Sequence, residues 1–468
     1  MQTASLQRET TLRDALARAV SPLSSYQRRV WRLVGTHAER ALYERICVRI
    51  AGPLPVAALA RAVDAVGRRH AILRAVFFDA GGQVVQCVRS TAAALLIVDL
   101  RGLPQDERAR AAARLTRRER QPAFDVRRGP PMRTALFQMS ATDHLWLACV
   151  HHLVFDGGSR AVLMRDLESI FLSPSAPHAT APQYRDVMRR ETRPETLVPH
   201  AVRARTVAGR LRDLPSPPAT LPSDRPRSAY RTRRGDLIVF DVPDAVVRAL
   251  RDVCRAERLS LFMLLLGALA IVLRWASGLA DVACGIPVAN RMSVEAERTI
   301  GPFINILVVP LRATAGMRVR DVVAHARDAM LGALADRDVP FDDVLAALAP
   351  GRALDNYGPA DAPPLFRACA SFEDETDAGT SVASGVAGGQ APGLTLTPFE
   401  PADAIAGCDL TISFTVSGDR LAGGVLYPVE LFDRATVDRF VSSFLTALRS
   451  LPSAWDRPLS ELVGSSPS

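Results

Sequence analysis

Hydrophobic and polar residues alternate along this chain with two different periods. Apolar residues recur at helical spacing over residues 54–67, which predicts a helix with one buried face. Residues 133–138 and 144–152 are short, mainly apolar runs separated by a polar segment, and they predict two strands. A helix is predicted to follow at 160–171, with Ser159 as its N-cap. Strands and helices that alternate in this way predict an α/β fold.

The alternation continues into the second half of the chain. The longest apolar run, residues 261–273, is closed by Arg274 and is too short to span a bilayer, so it predicts a buried helix. Residues 375–393 are rich in glycine, alanine and serine, which predicts a mobile excursion. Further strands are predicted at 71–78, 83–88, 96–100, 237–242, 281–285, 304–311, 410–416 and 421–427, and further helices at 107–119, 244–258, 319–336, 341–348 and 435–448.

The length of 468 residues favours two lobes of roughly 200 residues each over a single core. Residues 176–235 include a segment rich in proline and arginine, which is typical of a crossing between lobes, and one or two helices are expected within it. Residues 1–175 are therefore predicted to form the first lobe and residues 236–468 the second.

The composition limits the class of protein. The seven cysteines are scattered without a CxxC pair, so neither a disulfide framework nor a zinc site is expected, and a cytoplasmic location is predicted. Residues 1–14 have no apolar core that would act as a secretory signal, and no membrane association is expected. The formal net charge is +9, but only 6% of residues are aromatic and no nucleic-acid module is recognisable. The charge therefore favours a basic surface that docks an acidic protein over one that binds nucleic acid.

The candidate chemistry lies in the run His151-His152-Leu-Val-Phe-Asp156-Gly157. A histidine at the mouth of a strand has a pKa suited to accepting a proton near neutral pH. Asp156 would orient the turn or pair with a distant arginine, and the amides of Gly157 and Gly158 would donate to a developing oxyanion. A His-His pair is also common as the polar end of an apolar strand, so the residues alone leave both interpretations open. The other histidines show no grouping that would complete a metal site.

Residues 151–159, HHLVFDGGS, resemble the HHxxxDG motif of condensation domains from nonribosomal peptide synthetases, in the chloramphenicol-acetyltransferase-like superfamily. Further patterns of that family follow in the expected order, so the resemblance covers nearly the whole chain. They are SxxxxxQxxxW (Ser21, Gln27 and Trp31), RHxxLR (Arg69, His70, Leu73 and Arg74), FDxxxGPxxR (124–133), YxD (Tyr184 and Asp186), LPxDRP (221–226), ANR with IGxFxN (289–291 and 300–305) and xPF (339–341).

The resemblance implies a fold of two chloramphenicol-acetyltransferase-like lobes that form a V-shaped pseudo-dimer, with the active site at the seam. It also implies roles for several of the residues that match these motifs. His152 would be the catalytic histidine, and Gly157 would help to place the acyl carbonyl. Asp156 would pair with Arg291 of the other lobe. His151 and Arg74, together with Ser159, would shape the site without doing chemistry.

By the same resemblance, the chain would transfer an acyl group from a phosphopantetheine thioester on a carrier protein to an amine or hydroxyl, in nonribosomal peptide or hybrid polyketide biosynthesis. No permanently bound cofactor and no metal are expected, and the chain is expected to be a monomer that receives its carrier in trans. Amide and ester products are both left open. One alternative is a coenzyme-A-dependent acyltransferase of the superfamily, although the DFGWG motif of its plant members is absent. Another is a catalytically silent carrier-docking module, although His152 and Asp156 are both retained.

Overall fold

The computed structural model describes residues 20–36, 39, 42–120, 124–176, 179–191, 194–215, 221–227, 232–348, 365–374, 393–399 and 404–462. The helices are α1 Ser25–Leu33, α2 Val56–Arg69, α3 Gln105–Arg120, α4 Gly157–Leu172, α5 Tyr184–Glu191, α6 Pro194–Leu211, α7 Asp244–Glu257, α8 Leu261–Ser277, α9 Val294–Glu297, α10 Val319–Ala335, α11 Phe341–Leu348 and α12 Arg434–Ser450, with short 3-10 helices at Ala71–Arg74 and Leu459–Glu461. The strands are β1 Val20–Pro22, β2 Tyr43–Ala51, β3 Ala75–Asp79, β4 Val84–Val88, β5 Leu95–Asp99, β6 Met132–Gln138, β7 Asp143–His151, β8 Arg234–Val242, β9 Asp281–Ala289, β10 Ile304–Arg312, β11 Ala368–Asp374, β12 Thr395–Pro398, β13 Ala404–Ile405, β14 Leu410–Ser417 and β15 Arg420–Pro428.

The first lobe is built on a five-stranded sheet with the strand order β12-β2-β7-β6-β5, beside a smaller sheet with the order β1-β4-β3. Helices α2 and α4 cover one face of the larger sheet, where Val63 and Leu163 share a core with Ala148. Helix α3 covers the other face, where Ala112 packs with Leu147. Strand β7 therefore lies between two helical layers, and this burial gives a rigid support to the residues that follow it.

The second lobe is built on a seven-stranded sheet with the order β10-β9-β11-β14-β15-β8-β13. Helix α8 lies in its core, and every residue from Leu264 to Leu273 is buried, as the long apolar run predicted. No single helix among the described residues has the length and apolarity needed to cross a bilayer, although α7 and α8 pass that test as a pair bent by 108°. A helix that is apolar on all sides is typical of a buried core position, which is where α8 lies.

One strand crosses from the second half of the chain to the first sheet. Strand β12 pairs antiparallel with β2, with Thr395 opposite Ala51. A Cβ on Gly52, whose φ is +121°, would lie 2.1 Å from the carbonyl oxygen of Gly393. Glycine is thus required at position 52, because any side chain there would prevent the segment at Gly393 from approaching the end of β2. The division into residues 1–175, 176–235 and 236–468 stays a prediction, and hydrogen bonding assigns residues 395–398 to the first sheet.

Most predicted helices and strands are present, with ends that differ by a few residues. The strand predicted at 71–78 is wrong in its first half, because Ala71–Arg74 form a 3-10 helix. The Arg74 guanidinium donates to the carbonyls of Gly67 and Arg68, at 3.0 and 3.3 Å, and holds this turn against the end of α2. Strand β11, which pairs parallel with β14 and β9, was not predicted. Of the predicted excursion at 375–393, all but the last residue lie outside the described residues.

Candidate functional site

His152 lies in the turn that joins β7 to α4. Its amide donates to the carbonyl of Leu42 at 2.8 Å. Its Nδ1 lies 2.9 Å from the carbonyl oxygen of Phe155. Because a carbonyl oxygen only accepts hydrogen bonds, Nδ1 carries the proton and Nε2 remains as a proton acceptor. The ring is half-buried, so it is oriented by the backbone and still reachable from solvent.

His151 faces the opposite way, into the first lobe. It is completely buried, and its Nδ1 accepts a hydrogen bond from the amide of Leu153 at 3.0 Å. Its Nε2 lies 3.7 Å from the Glu39 carboxylate, and its ring packs edge-on against Tyr43. Burial lowers the pKa of His151, which keeps the imidazole neutral. These contacts give His151 a structural role at the end of β7.

Helix α4 begins at Asp156. This residue has an extended backbone, with φ −136° and ψ 177°, and its Oδ1 accepts from the amide of Ser159 at 2.8 Å. The prediction of Ser159 as the N-cap is therefore wrong, because the first helical residue is Gly157 and the amide of Ser159 is the group that is capped. An aspartate at this position satisfies an otherwise unpaired N–H and places negative charge at the positive end of the helix dipole.

The Asp156 carboxylate accepts hydrogen bonds from both lobes. It is only 1% exposed, and Arg291 Nη2 donates to its Oδ1 at 2.7 Å. Its Oδ2 accepts from the amide of Phe303 at 2.9 Å. The hydroxyl of Ser159 donates to Oδ1 at 2.7 Å. A buried carboxylate is stable only when its charge is paired and its oxygens are hydrogen-bonded, and here the second lobe supplies the cation.

The second lobe holds the Arg291 guanidinium in place. Its Nη1 donates to the carbonyl of Ala296 and, at 2.6 Å, to that of Thr299. The guanidinium carbon lies 4.6 Å from the centroid of the Phe303 ring. The side chain is 8% exposed, so its charge is largely withdrawn from water. Arg291 thus presents a preorganised cation to the first lobe, in the pairing that the motif resemblance implies.

Ser159 completes the junction between the lobes. Its hydroxyl oxygen accepts from the amide of Gly301 at 3.0 Å and from Arg291 Nη2 at 2.9 Å, and the residue is fully buried. One hydroxyl thereby connects the first turn of α4 to two parts of the second lobe. The site-shaping role of Ser159 stays a prediction, and its local role is not that of an N-cap.

The two glycines after Asp156 have different surroundings, which leads to a prediction. A Cβ at Gly158 would lie 2.6 Å from Arg291 Nε, whereas a Cβ at Gly157 would meet nothing within 4 Å. Gly158→Ala is expected to lower the free energy of unfolding by about 1–3 kcal/mol, because it displaces the guanidinium. Gly157→Ala is expected to stay within about 0.5 kcal/mol of the wild type. Urea denaturation measures both values, and equal losses in the two variants would contradict this account of the junction.

Gln27, on helix α1, supports the histidine turn. No role was predicted for this residue from the sequence. It is completely buried, and its Nε2 donates to the carbonyl of Leu153 at 2.8 Å. Its Oε1 accepts from the amide of Ser24 at 3.0 Å, within a capping box that begins α1. The SxxxxxQxxxW pattern contained this residue, but only the tertiary structure connects it to the turn.

Tyr184 supports the other side of the junction, again without a role predicted from the sequence. Its hydroxyl lies 3.1 Å from Ser24 Oγ and 3.3 Å from the carbonyl oxygen of Pro302. A Cβ at Gly301 would lie 2.1 Å from the Tyr184 ring, so the ring packs directly on that glycine. The tyrosine of the YxD pattern and the glycine of IGxFxN are therefore one packing unit, which positions the backbone that bonds Ser159.

Arg74 lies apart from this network in the contacts that the structure describes. Besides its bonds to Gly67 and Arg68, its guanidinium donates to the carbonyl of Arg89. The neighbouring His70 is 1% exposed and pairs through Nε2 with Asp166 of α4 at 2.8 Å. Arg74 thus stabilises the end of α2, and His70 connects the end of α2 to helix α4. A site-shaping role for Arg74 stays a prediction.

The chain is similar in sequence to proteins of one known family. The profile of the condensation domain family matches residues 17–467. The chain is 32% identical over 445 residues to phosphinothricin tripeptide synthetase PhsC of Streptomyces viridochromogenes, covering 92% of this chain and 39% of that protein. It is also 31% identical over 442 residues to chondramide synthase cmdD of Chondromyces crocatus, covering 92% of this chain and 11% of that protein. The chain therefore spans well under half the length of these relatives.

Solved structures agree on the fold. The X-domain from teicoplanin biosynthesis superposes with a TM-score of 0.78 at 23% identity, covering 94% of this chain and 96% of that one. The condensation domain of the monacolin K polyketide synthase MokA superposes with a TM-score of 0.77 at 17% identity, covering 94% of this chain and 99% of that one. These matches confirm the predicted α/β fold of two chloramphenicol-acetyltransferase-like lobes. With the profile match over nearly the whole length and relatives above 30% identity, they lead to one conclusion: the chain belongs to the condensation domain family.

Proposed function

We propose that this chain catalyses condensation, in which an acyl group passes from a carrier-bound phosphopantetheine thioester to an amine or hydroxyl. The observation that carries the proposal is the orientation of His152. Its Nδ1–H is engaged by the Phe155 carbonyl, which leaves Nε2 as the acceptor nitrogen beside the junction of the lobes. A half-buried imidazole of this kind is suited to receive the proton of an attacking nucleophile.

The reaction balances without an additional reactant. The nucleophile attacks the thioester carbonyl carbon, the carbonyl π electrons move to oxygen, and the nucleophile's proton passes to His152 Nε2. Collapse of the tetrahedral intermediate breaks the carbon–sulfur bond. The departing thiolate then takes up the proton, which yields the amide or ester and the free phosphopantetheine thiol. His152 returns to its starting state.

The start of α4 supplies donors for the oxyanion. The amides of Gly157 and Gly158 occupy the first two positions of this helix, where N–H groups have no partner within the helix. The side chain of Asp156 caps the amide of Ser159, and neither of those two amides donates to another residue that the structure describes. A helix N-terminus favours negative charge, so these amides are suited to stabilise the oxygen of the intermediate. Gly157, with open space where a Cβ would be, is the amide that we assign to the acyl carbonyl.

The rigid inter-lobe network gives Asp156 and Arg291 a positioning role in this proposal. Their ion pair holds the start of α4 against the second lobe, and the histidine turn precedes that start directly. Without this ion pair, the start of α4, which carries the oxyanion donors, would lose a contact that fixes its position beside the histidine turn. Catalysis by positioning depends on such rigidity, since small displacements of the reacting groups lower the rate strongly.

The proposed partner is an acidic carrier protein, supplied in trans. The chain has a formal net charge of +9, and helix α3 exposes Arg110, Arg114 and Arg118. Complementary charge accelerates association between proteins. The relatives include a tripeptide synthetase, which supports peptide or hybrid polyketide biosynthesis as the setting. No permanently bound cofactor takes part in the proposed reaction.

Intact mass spectrometry tests the proposal. An acyl-loaded carrier protein is incubated with this protein and a panel of amines and alcohols. We expect the carrier to lose the mass of the acyl group and a product of matching mass to appear with at least one acceptor. A carrier incubated with the acceptors alone is the control for uncatalysed aminolysis. Consumption of the same acyl group from coenzyme A, with the loaded carrier unchanged, would instead support the coenzyme-A-dependent alternative.

A further inference from the structure

A cleft between the two lobes contains polar groups that the proposed mechanism does not use. It encloses about 740 Å³, including space open to solvent, and we call it the α1–α11 cleft. Helix α1 contributes Tyr26 and Arg29, and the start of α11 contributes Phe341, Asp342 and Asp343. The remaining lining residues that matter here are Asn290, Phe303, His200 and Asp338.

Acidic residues dominate the charge of the α1–α11 cleft, although the chain as a whole is basic. Three carboxylates line it, at Asp338, Asp342 and Asp343, against the single guanidinium of Arg29. Asp338 is satisfied by Arg203, at 2.7 and 2.8 Å, and by His200. The Arg29 guanidinium lies over the rings of Tyr26 and Phe341, at 5.1 and 5.2 Å. Arg29 therefore packs on aromatic rings and forms no ion pair with a described carboxylate.

Two buried oxygen atoms in the cleft have no hydrogen-bond donor among the described residues. One is Oδ1 of Asp342, a residue only 7% exposed, and the other is Oδ1 of Asn290. Burial raises the pKa of Asp342, and the nearby Arg29 and Arg32 oppose that rise. A buried acceptor without a donor costs roughly 1–3 kcal/mol, and more if it is charged, so such atoms point to a ligand that donates.

The occupant that fits these groups is an organic cation. No group of three or more histidine, cysteine, aspartate or glutamate side chains in the described part of the chain could hold a metal ion. The rings of Tyr26, Phe303 and Phe341 add apolar surface, which suits an alkylammonium or guanidinium group better than a strongly hydrated inorganic ion.

The α1–α11 cleft adjoins the site of the proposed reaction. Phe303, which lines the cleft, donates its amide to Asp156 Oδ2, and Asn290 directly precedes Arg291. The Arg291 guanidinium lies over the Phe303 ring, so the same ring contacts both the cleft and the ion pair that positions the histidine turn. The cleft and the ion pair that positions the histidine turn therefore share Phe303.

We infer that the α1–α11 cleft binds the acceptor substrate, and that this acceptor carries a cationic group, separate from its nucleophile, which donates to Asp342 and Asn290. The inference rests on the proposed function and extends it by naming the chemical class of the acceptor. The cation is an ammonium or guanidinium on a short aliphatic chain. Its charge is compensated by the Asp342 carboxylate, which forms no ion pair within the described part of the chain and whose Oδ1 accepts no hydrogen bond there.

Binding measurements test this inference without requiring turnover. Isothermal titration calorimetry compares α,ω-diamines of three to six carbons with the diols of the same lengths, which carry no cation, on the whole protein. We expect at least one diamine to bind on the order of 10- to 100-fold more tightly than its diol, because an ammonium adds a charge-assisted hydrogen bond. Asp342→Asn keeps the side-chain shape and is expected to remove that preference.

The matched control is Asp244→Asn, which removes the same charge from the first turn of α7, at an exposed position outside the cleft. It is expected to keep the preference for the diamine. Equal binding of diamines and diols across the panel would overturn the inference, and so would an unchanged preference in Asp342→Asn. Failure of the condensation reaction is recognised separately, because the wild type would then form no product with any acceptor while the binding preference persists.

Discussion

Replacing His152 with alanine is expected to lower the rate of product formation by about 10²- to 10⁴-fold, the usual contribution of a positioned base. The fold is expected to survive, because the only side-chain hydrogen bond described for His152 is the one from Nδ1 to the Phe155 carbonyl. Its backbone bond to Leu42 remains in the variant. The measurement is the initial rate of acyl transfer from a loaded carrier, with carrier binding followed in parallel.

His325→Ala is the matched control for this experiment. His325 is a half-buried histidine on helix α10, outside the junction of the lobes, and its replacement is expected to leave the rate within about twofold of the wild type. Full activity in His152→Ala, with the control unchanged, would remove the imidazole from the mechanism. Loss of activity together with loss of carrier binding would indicate a folding or docking defect, which circular dichroism and the binding measurement distinguish.

Arg291→Ala is expected to have the largest effect on stability. It leaves the Asp156 carboxylate, 1% exposed, without its cation, and breaking a buried pair in this way costs about 3–5 kcal/mol. Activity is expected to fall as well, because the start of α4 loses its ion pair with the second lobe. Urea denaturation measures the free energy of unfolding, and the rate of acyl transfer is measured at a temperature where the variant is still folded.

The control is a similar ion pair on the surface. Arg49 donates to both oxygens of Asp143 at 2.8 Å, but its side chain is 57% exposed, so Arg49→Ala is expected to cost about 1 kcal/mol or less. The double variant Asp156→Asn with Arg291→Ala removes both buried charges, and its loss is expected to be smaller than the sum of the losses in Asp156→Asn alone and in Arg291→Ala alone. Additive losses would show that Asp156 and Arg291 do not stabilise each other.

The sequence predicted much of the secondary structure because local rules govern it. The run at 261–273 is apolar on all sides, and the helix it predicted is the buried α8. Strand β11 was not predicted, because its place between β9 and β14 depends on partners that are distant in the chain. The 3-10 turn at Ala71–Arg74 was not predicted for a different reason. Hydrogen bonds from the Arg74 guanidinium to the end of α2 stabilise this turn, and the apolar periodicity of the sequence does not reveal such bonds.

The motifs predicted which residues lie together at the junction of the lobes more completely than they predicted what each residue contacts. His152, Asp156, Gly157 and Ser159 were named from one short run, and Arg291 from a second run in the other half of the chain. Ser159 was nevertheless given the capping role that belongs to Asp156. Gln27 and Tyr184 lay within quoted patterns but had no role, because their partners, Leu153 and Gly301, are remote in sequence.

The sequence by itself determined the periodicity of helices and strands, the family motifs and the excess of positive charge. The tertiary structure alone decided that Asp156 and Arg291, 135 residues apart, share one hydrogen-bond network. It alone decided that β12 joins the first sheet and that an acid-lined cleft lies beside the junction. The physical reason is the range of the interactions. Helix and strand patterns arise from neighbours a few residues apart, whereas the pairing of buried charges depends on which distant segments the hydrophobic cores bring together.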